Sequence, residues 1–320
     1  MSSLLSISDL HISFPSAHGF IEPVRGVSLA LEKGSVLALV GESGSGKSMT
    51  ALSIMRLLPP PGTISSGNIF FDGQELTSFS EEMMRSVRGR RISMVFQEPM
   101  TSLNPVLRIG DQVAEPLLLH TALPRREAFE RVEELLTSVG IPSAGDRMQD
   151  YPHQLSGGMR QRVMIAMALA CQPALLIADE PTTALDVTIQ AQILELLDRQ
   201  RRSSGLALLL ITHDLGIVAE RSDHTAVMYA GQIVESAPTD QLLSDPRHPY
   251  TQALLASLPQ YAEPGKLLPT FSSQLNQQSM MPAGCTFAER CPLAAKECCS
   301  ASQKLCEIAP SHYVRCWKSL

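Results

Sequence analysis

Val36-Leu37-Ala38-Leu39-Val40, running into Gly41-Glu42-Ser43-Gly44-Ser45-Gly46-Lys47-Ser48, is the stretch from which the rest of the chain is read. A continuous apolar run marks a strand buried on both faces, the habit of parallel sheets. The eight residues behind it fit G-x-x-x-x-G-K-[ST], the phosphate loop, in its proper place between a strand and a helix. Glycines let the backbone bend so that several N–H groups converge on one phosphate group, and the helix starting near Lys47 adds its positive end. In such a loop Lys47 bridges the β- and γ-phosphates and the Ser48 hydroxyl binds Mg²⁺. The loop alone does not separate adenine from guanine.

Outward from it, Leu175-Leu176-Ile177-Ala178, Ala207 to Thr212 and Thr225 to Tyr229 have the same buried-strand character, and Thr188 to Arg202 has a helical pattern. Strands alternating with helices predict a parallel sheet of the α/β class. The first third alternates short apolar runs with turns: Ile69-Phe70-Phe71 before Asp72-Gly73 reads as a strand entering a tight turn, and Ile92 to Phe96 as another strand. From about Ile109 to Asp150, Leu, Glu and Arg at helical spacing predict a helical insertion. Pro259 to Gly284 is rich in Pro, Ser, Gln and Asn and reads as a linker or surface loop.

Composition narrows the function classes. A chain of 320 residues is long enough for two domains or one large one, and 44% apolar residues suffice for a core. With 26 Lys and Arg against 32 Asp and Glu, the net charge is −6, which argues against a nucleic-acid coat. Aromatics at 5% argue against base-stacking platforms. No run approaches the ~18 apolar residues of a membrane helix. Met1-Ser2-Ser3-Leu4 has no basic region or cleavage signal, so the expectation is a cytosolic chain carried to any membrane by a partner.

Four further elements point to nucleotide hydrolysis. Asp179 and Glu180 close a buried strand, where α/β sheets place ligands; Asp179 can hold Mg²⁺ through water and Glu180 can polarise the attacking water. His213 ends another strand and is placed for the γ-phosphate, against the bland reading of a structural histidine. Gln97 ends a third and could orient water and Mg²⁺. Leu155-Ser156-Gly157-Gly158-Met159-Arg160-Gln161 opens a helix with Met159, Val163, Ala166 and Ala170 on one stripe, a second anion-binding helix start. A second such site makes sense if it serves the nucleotide of a facing subunit.

In this order the phosphate loop, glutamine, Ser-Gly-Gly signature, Asp-Glu pair, Ala184-Leu185-Asp186 and His213 resemble the ATP-binding subunit of an ABC transporter over about residues 4 to 235. The resemblance implies a P-loop NTPase (RecA-like) α/β core, an antiparallel β-subdomain, a helical signature subdomain at about 98–160 and a cassette spanning 1–240. It implies ATP and Mg²⁺, and two cassettes head to tail, with Ser156, Gly157 and Gly158 of one facing the phosphate loop of the other. Asp186 would lie at the dimer seam. Phe14 would stack on adenine, or else be a packed core residue.

Met100-Thr101-Ser102-Leu103-Asn104-Pro105 and His248-Pro249-Tyr250-Thr251-Gln252-Ala253-Leu254 resemble the dipeptide/oligopeptide/nickel importer branch, and the cluster of Cys285, Cys291, Cys298, Cys299, Cys306 and Cys316 resembles that of its dipeptide-permease D-type ATPases. Leu268-Pro269-Thr270-Phe271 departs from the Pro-Gly-x-x-Pro that the branch carries. What the branch implies is an ATPase on the cytoplasmic face of the inner membrane, paired with a second, paralogous ATPase, two permeases and an extracytoplasmic binding protein. The cargo would be di- or oligopeptides, with nickel or a metal chelate as the alternative. A soluble ABC ATPase or a nucleotide-gated redox sensor are the readings from other classes.

A connecting segment at 241–284 leads to a module at 285–320, where six of the seven cysteines crowd; Cys171 stands alone. In a reducing compartment this reads as a metal or iron–sulfur site rather than disulfides. Some relatives with the spacing of Cys285, Cys291, Cys298 and Cys316 bind a [4Fe–4S] cluster. A Zn²⁺ site of four sulfurs and free or disulfide-bonded cysteines are the alternatives. Cys299 and Cys306 are spare.

Overall fold

The computed structural model describes residues 3–17, 19–97, 102–182, 186–257, 284–301 and 303–319. The readings placed on Met100-Thr101, on Ala184-Leu185 and on 259–283 therefore lie outside the described residues. The chain divides into two compact units that interleave along the sequence: Met1–Leu4, Leu31–Ser35 and Leu76–Leu210 form one, and Leu5–Ala30, Val36–Glu75 and Ile211–Leu320 the other.

In the unit that carries the phosphate loop, β3 (Val36–Val40) has all five side chains buried, its valines and leucines contributing about 2 kcal/mol each. It pairs in parallel with β9 (His224–Tyr229), Leu37 opposite His224 and Val40 opposite Val227. β9 turns antiparallel into β10 (Gln232–Pro238), and β10 pairs antiparallel with β12 (His312–Val314), which forms a hairpin with β11 (Cys306–Ala309). The cysteine-rich module thus adds two strands to the sheet that holds the phosphate-loop strand, a continuity the sequence reading does not foresee. Helix α1 (Lys47–Ile54) follows the loop. Three more helices belong here: α8 (Leu215–Arg221), α9 (Thr239–Ser244) and α10 (Pro249–Ala256), with the short α11 (Lys296–Ser300) inside the module.

A second, antiparallel sheet in this unit has the order β2-β1-β4-β5, from β1 (Leu5–Ser16), β2 (Gly19–Leu31), β4 (Thr63–Phe71) and β5 (Gln74–Glu75). This is the expected antiparallel subdomain, but β1 and β2, at 12 and 13 residues, are much longer than the short runs read there. For β1 the reason is a bulge. The β1–β4 register shifts between Ser8 and Ile12, where Asp9 takes φ 48° against Gly67 at φ 88°. An extra residue reverses the in-and-out phase, so no simple alternation survives along the strand. Asp72 and Gly73, at φ 48° and 79°, make the predicted tight turn from β4 to β5.

The other unit holds the parallel pair β6 (Ile92–Val95) and β7 (Leu175–Asp179), Ile92 opposite Leu175 and Val95 opposite Ala178. β6 stops one residue earlier than expected, since Phe96 is exposed. Helices α2 (Glu81–Val87), α3 (Ile109–His120), α4 (Arg125–Ser138), α5 (Ala144–Arg147), α6 (Gly157–Leu169) and α7 (Val187–Ser204) complete it, and α3, α4 and α6 pack on one another. The insertion is helical as predicted, and α4 turns Ala128, Val132, Leu135 and Leu136 inward at helical spacing. The single stripe assigned to α6 is too narrow: Gln161, Val163, Met164, Ile165, Ala166, Ala168 and Leu169 are all buried, so the helix is enclosed on several sides. Strand β8 (Ala207–Thr212), buried throughout, carries the chain from this unit to the other. Among the described residues no helix is long and apolar enough to cross a membrane.

Candidate active site

The phosphate loop is held from below and from one side. Gly41 has φ 155° and lies so close to β9 that a Cβ would sit 2.1 Å from the Met228 carbonyl oxygen. Gly46, at φ 107°, begins α1, and a Cβ there would meet the Pro23 carbonyl oxygen at 2.3 Å. Glycine is required at both by space as well as by dihedral angle. Lys47 Nζ, buried, donates to the carbonyls of Gly41 and Glu42 at 2.8 and 2.9 Å, which lays the ammonium across the loop. Ser43 and Gly44 are exposed at the crest. Ser48 stands in the first turn of α1, half-buried.

Two more residues grip the loop, and nothing local in the sequence points to either. The Tyr250 hydroxyl accepts the Glu42 N–H at 2.9 Å. Arg290 donates to both Glu42 carboxylate oxygens, at 2.9 and 3.0 Å. A contact between residues 248 positions apart leaves no local sequence signal.

In the other unit Gln97, beyond β6, and Glu180, at the end of β7, come together: Gln97 Nε2 donates to Glu180 Oε2 at 2.9 Å. Asp179 is buried, while Glu180 is half-buried with φ 47°. A non-glycine residue in the left-handed region costs about 1–3 kcal/mol and is a mark of functional sites. Nothing in the type or spacing of Asp179-Glu180 announces that backbone angle.

Ser156 starts α6 as predicted, its hydroxyl accepting the Met159 N–H at 3.3 Å. Gly157 is open to solvent; Gly158 is pressed on α7, where a Cβ would meet Ile189 at 3.0 Å. Asp186 caps α7, its carboxylate accepting the Ile189 N–H at 2.9 Å. His213 is exposed just after β8, before Asp214 caps α8. The ring of Phe14, half-buried in β1, packs on Gly62, whose missing Cβ it would overlap at 2.4 Å.

The cysteine module closes on itself. Cys285, Cys291, Cys298 and Cys316 line one small cavity with Phe287, Arg315 and Trp317, while Cys299 is exposed and Cys306 lies apart. Burial pushes the Cys285 thiol up, and its neighbours Cys298, Cys316 and Cys291 push it further. Cys291 is raised in the same way, by burial and then by Cys316 and Cys298. No two of the seven cysteines are joined in a disulfide. Among the described residues no group of three His, Cys, Asp or Glu side chains is arranged to hold a single metal ion.

Behind this cavity Glu235, fully buried, accepts the N–H groups of Arg247 and His248 and the Nε2 of His312, each at 2.8 Å. Three hydrogen bonds on one carboxylate tie β10, the start of α10 and the module together.

Comparison with known proteins agrees with this anatomy. Residues 24–183 match the family model described as ABC transporter, and residues 234–298 the one described as oligopeptide/dipeptide transporter, C-terminal region. The chain is 48% identical over 318 residues to the dipeptide transport ATP-binding protein DppD of Bacillus subtilis, covering 99% of this chain and 95% of that protein. Against the oligopeptide transport ATP-binding protein OppD of Bacillus subtilis it is 48% identical over 322 residues, covering 99% and 89%. The dimeric post-hydrolysis structure of the ATP-binding cassette MJ0796, bound to ADP and Pi, superposes with a TM-score of 0.67 at 26% identity, covering 73% of this chain and 98% of that one. A phosphate loop at the end of a buried strand, a Gln–Glu pair beside a second strand and a serine-capped signature helix thus occur in one chain with relatives along nearly its whole length; the chain belongs to the ABC transporter family and is one of its ATP-hydrolysing cassettes.

Proposed function

We propose that this cassette hydrolyses ATP to drive uptake of di- and oligopeptides through membrane permease subunits. The observation that carries the reading is the match of one chain to both the cassette and the oligopeptide/dipeptide C-terminal region, at 48% identity to peptide-transport relatives. In this reading the chain sits peripherally at the cytoplasmic face of the inner membrane. It pairs with a second ATPase, two permeases and an extracytoplasmic binding protein.

In the proposed site the loop 41–48 binds the phosphates of ATP, with Lys47 between the β- and γ-phosphates. The donor set suits Mg²⁺: Ser48, Gln97 and Asp179 are the oxygen-bearing groups that would hold it, and the ion supplies neutralisation of phosphate charge. Glu180 polarises the attacking water, and its bond to Gln97 supports that role by fixing the carboxylate. His213 contacts the γ-phosphate, and Phe14 faces the adenine. Ser156, Gly157 and Gly158 serve the nucleotide of the partner cassette, and Asp186 lies at the seam.

The sharing of one cavity by the four cysteines supports them as the proposed ligands of a [4Fe–4S] cluster, which needs four thiolates. The cluster would supply a structural cross-link or redox-sensitive centre.

The test uses the whole transporter in proteoliposomes. ATP-dependent uptake of a labelled dipeptide or oligopeptide is expected, lost in Glu180→Gln while ATP binding is kept. Uptake of a nickel chelate without peptide uptake overturns the cargo, and full turnover in Glu180→Gln overturns the catalytic assignment. Anaerobic purification should yield about four irons and four sulfides per chain; stoichiometric zinc overturns the cluster.

A further inference from the structure

The second residue of the phosphate loop is a carboxylate, Glu42, in the place where a highly charged anion binds. An uncompensated negative charge there repels the triphosphate and favours its release. The C-terminal module supplies the compensation. Arg290 closes a 3₁₀ turn, Ala288–Arg290, directly before Cys291. Its guanidinium meets Glu42 fork to fork, Nη2 to Oε1 at 2.9 Å and Nη1 to Oε2 at 3.0 Å, and Nη1 also donates to the Tyr229 hydroxyl at 3.2 Å. The Arg290 side chain is only 8% exposed and Glu42 24%, so water screens the pair weakly.

The arginine is held in turn. It lies over the Tyr229 ring, 5.6 Å from the centroid. Tyr229, Tyr250 and Phe287 pack mutually at centroid distances of 4.6, 5.2 and 5.5 Å, and Cys285 and Cys291 lie against the same cluster. Tyr250 adds its hydrogen bond to the Glu42 N–H. One rigid aromatic block therefore fixes both the backbone and the side chain of this loop residue.

We propose that Arg290 is a positioning residue for ATP, by which the C-terminal module neutralises Glu42 and holds the phosphate loop in its nucleotide-binding form. A guanidinium is suited to this task because its planar fork satisfies both carboxylate oxygens at once, which an ammonium cannot do.

The test is titration of the full chain with a fluorescent ATP analogue and Mg²⁺, with melting followed in parallel. Arg290→Ala is expected to weaken binding about tenfold, the equivalent of about 1.4 kcal/mol. In the assembled transporter its KM for ATP should rise while kcat changes little. Arg290→Lys should fall in between, keeping the charge and losing the fork. The decisive variant is Arg290→Ala with Glu42→Gln, which removes the repelling charge and should restore most of the affinity. Unchanged binding in Arg290→Ala overturns the proposal. So does a double variant that binds as weakly as Arg290→Ala alone, because Arg290 would then serve only the fold.

Discussion

His248 offers a quantitative test of how the C-terminal region is built. Its ring is buried, at 1% exposure, and Nδ1 accepts the Tyr250 N–H at 3.0 Å to cap α10. Protonation would set a donor against that donor. Burial, aided by the positive charge of Arg315, holds the imidazole at about 4 against an ordinary 6.5. Because the folded value is the lower one, the unfolded chain takes up the proton first. Stability is then complete above pH 6.5 and is lost as pH falls from 6.5 towards 4. The full gap is worth about 3 kcal/mol, and about 2 kcal/mol of it should disappear between pH 7 and pH 5. Urea unfolding of wild type and His248→Asn at both pH values measures this, since asparagine can cap the helix without titrating. The variant should lose about 2 kcal/mol less than wild type over that interval. His224, also lowered by burial, contributes equally to both and cancels. Parallel losses in the two proteins would refute the reasoning.

The remaining expectations concern single positions. Gly41→Ala drives a Cβ to 2.1 Å from the Met228 carbonyl, so it should cost about 3 kcal/mol in denaturant unfolding and abolish ATP binding. Asp186→Ala removes the cap of α7 and should cost about 1 kcal/mol, whereas Asp186→Ser should melt near wild type. If Asp186 served only a contact with another cassette, the isolated chain would melt unchanged in both. Gly284→Ala puts a Cβ 2.1 Å from the Cys298 carbonyl, which accepts the Cys285 N–H at 2.7 Å. On the proposed cluster assignment, iron content per chain should fall in that variant while the ATP site stays competent.

Much of the cassette is legible because its signals are local. The phosphate loop is a strand, a run of glycines and a lysine within thirteen residues, and Ser156 announces a helix because a serine hydroxyl satisfies an N–H of the first turn. Buried strands such as β3, β7 and β8 are legible because enclosure on both faces leaves an unbroken apolar run. What sequence reading misses is non-local or set by the backbone. The bulge at Asp9 conceals the length of β1, and the left-handed angle of Glu180 leaves no trace in composition. The grip of Arg290 and Tyr250 on Glu42 depends on chain segments more than 200 residues away. The four cysteines could be chosen by resemblance, but their convergence needed the turn at Phe287 and the hairpin before Cys316.

That hairpin has a consequence for proteolysis and for shortened forms of the chain. β12 covers the outer side of β10, with Glu235 opposite Val314 and Ser236 opposite Tyr313, and β11 covers β12 in turn. The outermost strand at this end of the sheet, β11, is four residues long and includes the charged, exposed Glu307. A chain cut before residue 284 would leave β10 as a bare edge of unpaired N–H and C=O groups, open to strand addition by other molecules. Such a fragment should aggregate by edge-to-edge pairing rather than behave as a trimmed cassette.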